Sequence, residues 1–234
     1  MNPILSTLPL MYETTFTKSE NFPSIALSKL KNHYELTVYS KGQKIFHEGH
    51  TPLGLYYIQE GKVKLYKYGS DGKVQIIRIA GQNEFIGYTA LLNQMKYHIT
   101  ASVIEEATIA FIPSKDFFDI MGTDTSIVGY FTQLLCNDLV NVEKRLVAQA
   151  YQPVRGRLAE ALLSLDNLYE KEDSDEESFI KISRSDLASL LGTAKETVIR
   201  LLSEFKSDQL ITTNGRIISV LNPKGLLRIS HMYD

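Results

Sequence analysis

The rhythm of hydrophobic and polar positions changes twice along this chain. From about Glu35 to Phe118 the apolar residues come in short runs, ELTVYS, KIFHEG, LGLYYIQ, KVKLYKY, VQIIRIA and ATIAFI, rich in Val, Ile, Tyr and Phe. Gly42, Gly49, Gly61, Gly72 and Gly81 punctuate them, so the segment reads as strands joined by turns. Short, regularly spaced strands predict an antiparallel barrel or jelly roll.

After Ser114 the period lengthens. Val128, Phe131, Leu135, Leu139, Val142, Leu146 and Ala150 recur at spacings of three and four, the mark of one helical face. The stretch from about Thr125 to Ala150 is therefore a helix of roughly seven turns, closed by Pro153, which cannot continue the hydrogen-bond ladder. The stripe either packs on the roll or pairs with its copy. Asn137, Asp138, Asn141, Lys144 and Arg145 make the rest of the helix polar, which favours a coiled-coil-like homodimer through Val128, Phe131, Leu135, Leu139, Val142 and Leu146. A second helix, VRGRLAEALLSLDNLY, follows, then the acidic run EKEDSDEE from Glu170 to Glu177, which reads as a solvated loop. The segment from Ala150 to Val154 between the helices is the expected hinge.

The third rhythm begins at Lys181: KISRSDLASLLGTAKETVIRLLSEFKSDQLITTNGRIISV. Two short helical patterns flank Gly192. Ser183 with Asp186, and Thr193 with Glu196, each fit a capping side chain with an acid at N3. A glycine between two such helices is the turn of a helix-turn-helix. In the second helix Val198, Leu201, Leu202 and Phe205 form the inner face, to pack on Leu187, Leu190 and Leu191. Lys195, Glu196, Ile199, Arg200 and Ser203 form the outer one.

That outer face suits a major groove. Arg200 can donate two hydrogen bonds to O6 and N7 of a guanine, Glu196 can accept from a cytosine amino group, and Ile199 can meet a thymine methyl. Glu196 and Arg200, four apart, can also form an intrahelical ion pair worth about 0.2–0.5 kcal/mol. Lys195 completes the base-reading set. Arg184, Thr193, Ser203 and Lys206 are candidates for phosphate contacts, which position without reading sequence. Beyond them, LITTNGRIISV is a hairpin turning at Asn214-Gly215, the wing of a winged helix-turn-helix.

Bulk properties change this picture only in part. A net charge of -2 over 234 residues does not suggest nucleic acid, but residues 178–234 carry eight Lys or Arg against five Asp or Glu. The single cysteine, Cys136, excludes an internal disulfide and an all-cysteine metal site. The opening MNPILSTLPLM has no basic residue before its apolar part, and no apolar run reaches the roughly 18 residues of a membrane span. These point to a cytoplasmic protein with no membrane partner. No phosphate-cradling loop with lysine, zinc-spaced histidines or nucleophile–base pairing marks an enzyme, and no cofactor or metal is expected.

The fold class is thus α+β: an N-terminal antiparallel β jelly roll (1–123), a long dimerisation helix (124–151) and a C-terminal winged helix-turn-helix (152–234). In that order these parts resemble the CRP/FNR family of bacterial transcription regulators, over nearly the whole chain after about Lys31. RSDLASLLGTAKETVIRLLSEFKSDQLI is similar to the family's DNA-binding signature, and the glycines of KGQKIFHEG, YYIQEGKVKLY and IAGQNEFIG match its cyclic-nucleotide-binding roll. The resemblance implies that Glu196 and Arg200 read bases, with Lys195 where cyclic-AMP-responsive members have a further arginine. It also implies palindromic double-stranded DNA and RNA polymerase as partners.

The same resemblance identifies Ile86 to Thr100, IGYTALLNQMKYHIT, as the effector cassette. Cyclic-AMP-responsive members carry there a glutamate for the ribose, then an arginine and a hydroxyl residue for the phosphate. Here only Gly87 remains, with Tyr88, Tyr97 and His98 at those places, and Val142 and Glu143 at the positions that meet adenine. A phosphate in a partly buried pocket needs charge-assisted donors worth roughly 1.5–3 kcal/mol each, so cyclic AMP is not expected and Tyr88, Tyr97 and His98 are expected to close the pocket. Two alternatives stay open: a different small molecule or haem in the roll, with His98 as an axial ligand, or a ligand-binding module whose helix-turn-helix contacts protein.

Overall fold

The computed structural model describes residues 34–170 and 179–231; the opening MNPILSTLPLM and most of the acidic run lie outside them. The described residues form two compact units, one ending at Asn137 and the other beginning at Asp138.

The first unit is a six-stranded antiparallel sheet of β1 (Glu35–Tyr39), β2 (Lys44–Phe46), β3 (Gly54–Tyr68), β4 (Val74–Ala80), β5 (Glu84–Ile86) and β6 (Thr100–Pro113). Its order is β1-β6-β3-β4, with β2 beside β6 and β5 beside β3. LGLYYIQ and KVKLYKY, expected as separate strands, are one 15-residue strand. Gly61 is the reason. With φ +93 it sits in register shifts against β6, and a Cβ there would lie 2.3 Å from the Glu106 carbonyl oxygen. The glycine thus bends a continuous strand through a bulge instead of ending it, and one end of β3 pairs with β5 while the other pairs with β4.

Among the described residues, two hydrophobic clusters lie in this roll. One gathers Phe46, Ile58, Val63, Ile86, Tyr97, Ala101, Val103 and Ile109. The other gathers Leu55, Tyr57, Phe85, Tyr88, Leu91 and Ile112 with Phe117, Ile127, Phe131 and Leu134. Phe117 comes from α2 (Ser114–Thr123), and Tyr88 and Leu91 from α1 (Tyr88–Leu92), two helices the hydrophobic period did not reveal because they are short. Ile127, Phe131 and Leu134 lie on the long helix α3 (Thr125–Tyr151). This corrects the dimer stripe: Phe131, 3% exposed, is a core residue of the roll, with its ring 5.1 Å from Phe117 and 5.4 Å from Phe85. Val128, Leu135, Leu139, Val142 and Leu146 are exposed, the last three at 60%, 56% and 71%.

In the second unit α4 (Val154–Tyr169) is buried on nearly all sides, with Leu158 and Leu162 fully enclosed. Around it lie α5 (Arg184–Leu191), α6 (Lys195–Ser207), α7 (Pro223–Ser230) and a small antiparallel sheet ordered β7 (Ile180–Lys181), β9 (Ile217–Val220), β8 (Ile211–Asn214). Asn214 pairs with Ile217, so the wing turns at Gly215-Arg216, one residue beyond the expected position. Gly215 has φ +57 and Arg216 is not in the left-handed region, which fits a turn needing glycine first.

The expected hinge is tied into this unit. Only Gln152 and Pro153 separate α3 from α4. The Gln152 Nε2 donates to the Ser230 carbonyl at 2.8 Å. Arg157 donates to the carbonyls of Gln149 (3.3 Å), Gln152 (3.4 Å) and Leu191 (3.3 Å), joining the end of α3 to the end of α5.

Candidate nucleic-acid interface

The helix-turn-helix is built by its ends. The Ser183 Oγ accepts from the Asp186 N–H at 2.9 Å and donates to the Asp186 carboxylate at 2.7 Å, closing the first turn of α5 as its sequence implied. Gly192 ends α5 in the left-handed region (φ 64, ψ 45), where a side chain would be strained. Ser183→Ala is expected to lower stability by about 1 kcal/mol, read as a fall in melting temperature of a few degrees. No fall would show that the cap is energetically idle.

The second cap differs from its expectation. The N-cap of α6 is Ala194, not Thr193, and no side chain takes up its first-turn N–H groups. Thr193 is half-buried, its N–H given to the Ala188 carbonyl at 3.1 Å.

Val198, Leu201, Leu202 and Phe205 turn inward and are buried with Leu187, Leu190 and Leu191. Lys195, Glu196, Ile199, Arg200, Ser203 and Lys206 are exposed, so one helix brings together the four residues singled out as base readers and two of the four phosphate candidates, Ser203 and Lys206. Ile199 stands out as an apolar side chain 46% exposed on this polar face. The Ser203 hydroxyl donates to the Ile199 carbonyl at 3.0 Å. Arg184 fits a phosphate less well: it is half-buried, its Nη1 is enclosed without a partner, and burial holds its pKa below the ordinary value.

Arg200 does not pair with Glu196. Its Nη1 donates to the Glu204 Oε1, one turn further on. The Glu204 Oε2 accepts from the Nη1 of Arg155 on α4 at 2.7 Å, while the Arg155 Nη2 donates to Asp208 at 2.9 Å. The same guanidinium lies 4.8 Å from the centre of the Phe205 ring. Spacing alone favoured Glu196, because Glu before a cation is the better order on a helix. Arg155 reverses that preference by holding Glu204 in place. Glu204 and Arg155 escaped sequence reading: the i, i+4 signal was present on both sides of Arg200, and only the packing of α4 on α6 chooses between them. Arg216, exposed at the tip of the wing, was likewise not singled out.

Of the three residues expected to close the effector cassette, Tyr97 and Tyr88 are buried, in different clusters of the roll. Tyr97 is 4% exposed and stacks on Phe46, with ring centres 4.0 Å apart and planes at 14°. It lies against Gly87, where a Cβ would meet Tyr97 Cε1 at 3.4 Å and Oη at 3.6 Å. Its hydroxyl is enclosed with no hydrogen-bond partner, and burial pushes its pKa up. Tyr88 is 2% exposed, its ring 5.8 Å from that of Phe131. His98 is exposed, which corrects the expectation that it helps close the pocket. Val142 and Glu143 are exposed on α3 and belong to the second unit.

A roll of this kind followed by a winged helix-turn-helix with an exposed polar reading helix defines a class, the DNA-binding transcription regulators. Residues 36–124 match the model of the cyclic nucleotide-binding domain, and residues 156–229 that of the Crp-like helix-turn-helix domain. The chain belongs to the CRP/FNR family of transcription regulators. It is 27% identical to the cAMP-activated global transcriptional regulator CRP of Pasteurella multocida, over 85% of this chain and 96% of that one. It is 24% identical to the fumarate and nitrate reduction regulatory protein of Vibrio cholerae, over 81% and 76% respectively. The fold is shared with FixK2 from Bradyrhizobium japonicum, at a TM-score of 0.76 and 21% identity, covering 86% of this chain and 99% of that one. A CRP/FNR-family regulator from Thermus thermophilus gives 0.72 and 22%, covering 86% and 100%.

Proposed function

We propose that this protein is a homodimeric regulator that binds a palindromic operator without cyclic AMP. The position of Tyr97 carries the second half of that reading. Its ring packs against Gly87 and stacks on Phe46, and the resemblance matches its position in the sequence to the cationic arginine of cyclic-AMP-responsive members. A neutral phenol offers a single O–H and no positive charge, where a guanidinium would give a cyclic phosphate several N–H donors and an opposite charge. The exposed stripe on α3 supports the dimer, and the exposed face of α6 supports major-groove reading. Two symmetry-related α6 helices would enter successive grooves about 34–36 Å apart. Lys195, Glu196, Ile199 and Arg200 read bases; Ser203 and Lys206 contact phosphate, and the uncapped start of α6 suits a phosphate as well. Contact with RNA polymerase follows from the family once the dimer is docked.

The test is titration of a palindromic DNA library by the purified protein, with and without cyclic AMP. Salt-dependent nanomolar to micromolar binding that cyclic AMP changes by less than about twofold is expected. A tenfold tightening by cyclic AMP would overturn the effector reading, and the absence of salt-dependent binding would overturn the DNA reading.

A further inference from the structure

We propose that Glu204, held in place by Arg155, positions Arg200 for guanine, so that base preference is set partly from α4, outside the helix-turn-helix itself. The inference rests on the assignment of Arg200 as a base reader. Glu204 bridges two guanidinium groups: Oε1 accepts from Arg200 and Oε2 from Arg155. Arg155 is itself fixed at three points, by Glu204, by Asp208 at 2.9 Å and by the face of Phe205, which is fully buried. The carboxylate is therefore anchored from the protein side and cannot follow Arg200 if that side chain swings away.

The geometry suits two-point recognition. Only Nη1 of Arg200 is engaged, which leaves the Nε–H and one Nη2–H, parallel to each other, as the edge that matches O6 and N7 of a guanine. An unheld arginine samples many rotamers and loses that freedom on binding, whereas one already tied loses less. Arg155 also neutralises Glu204, so that a carboxylate one turn from the reading position repels the DNA backbone less.

The experiment uses the operator selected by the wild-type protein, and copies of it with the guanine of each half-site replaced. Glu204→Gln, close in size and able to fold without strain, is expected to lower the preference for the guanine operator by about three- to tenfold with the salt dependence unchanged. Arg155→Met, which keeps length against Phe205, is expected to lower it by a smaller factor, and the double variant to match Glu204→Gln alone. Melting curves establish that each variant is folded. Undiminished preference in Glu204→Gln, or a changed salt slope with the preference intact, overturns the positioning role. Arg200→Ala separates the two assignments: if it keeps the guanine preference, base reading by Arg200 fails, and if it alone loses the preference, only the role of Glu204 fails.

Discussion

Leu139→Glu combined with Leu146→Glu is expected to leave the protein monomeric and to lower its affinity for a palindromic operator by about 10²–10⁴-fold. Both side chains stand well out of the chain's own core, at 60% and 71% exposed, so the change removes little packing within one protomer. In the proposed pair they would meet their own copies, and two carboxylates placed against two more repel in a region with little water to screen them. The large factor arises because the second half-site is bound at an effective concentration set by the first. Sedimentation equilibrium checks the assembly, and DNA titration checks the consequence. A double variant that stays dimeric would place the interface elsewhere.

Arg200→Ala is expected to cost about 1–3 kcal/mol of operator affinity and to relax preference at the guanine, because one bidentate contact per half-site is lost. Lys206→Ala provides the contrast. It lies at the end of the same exposed face, and its loss should weaken binding to all sequences alike while lowering the salt slope by about one ion. Quantitative titration over a salt series distinguishes them. Equal losses on operator and random DNA for Arg200→Ala would make it a backbone contact instead.

In the roll the Tyr97 ring lies against Gly87 and is fixed by stacking on Phe46. The enclosed Tyr97 hydroxyl lacks a partner, so this packing is not without cost. The aromatic stack and the buried ring area offset it.

Local chemistry made several features legible from the residues alone. The span of α3, the bounds of α4, the Ser183 cap and the Gly192 turn depend on residues near one another in the chain: helical period, proline, a short hydroxyl side chain and a residue without Cβ. The inward face of α6 was legible for the same reason, since a helix fixes which residues lie together. What depended on distant neighbours was not. Gly61 looks like any turn glycine until β6 lies across it and the bulge keeps β3 continuous. Phe131 repeats the period of the dimer stripe, yet Phe85, Phe117 and Tyr88 surround it, and only the packed roll shows that its side of α3 faces inward. Arg200 had a glutamate on either side at the same spacing; Arg155, 45 residues earlier in the numbering, decides for Glu204. Period and propensity specify which element forms and which face is apolar, because those are properties of neighbours in sequence. Which partner a side chain meets on that face is specified by the elements folded against it.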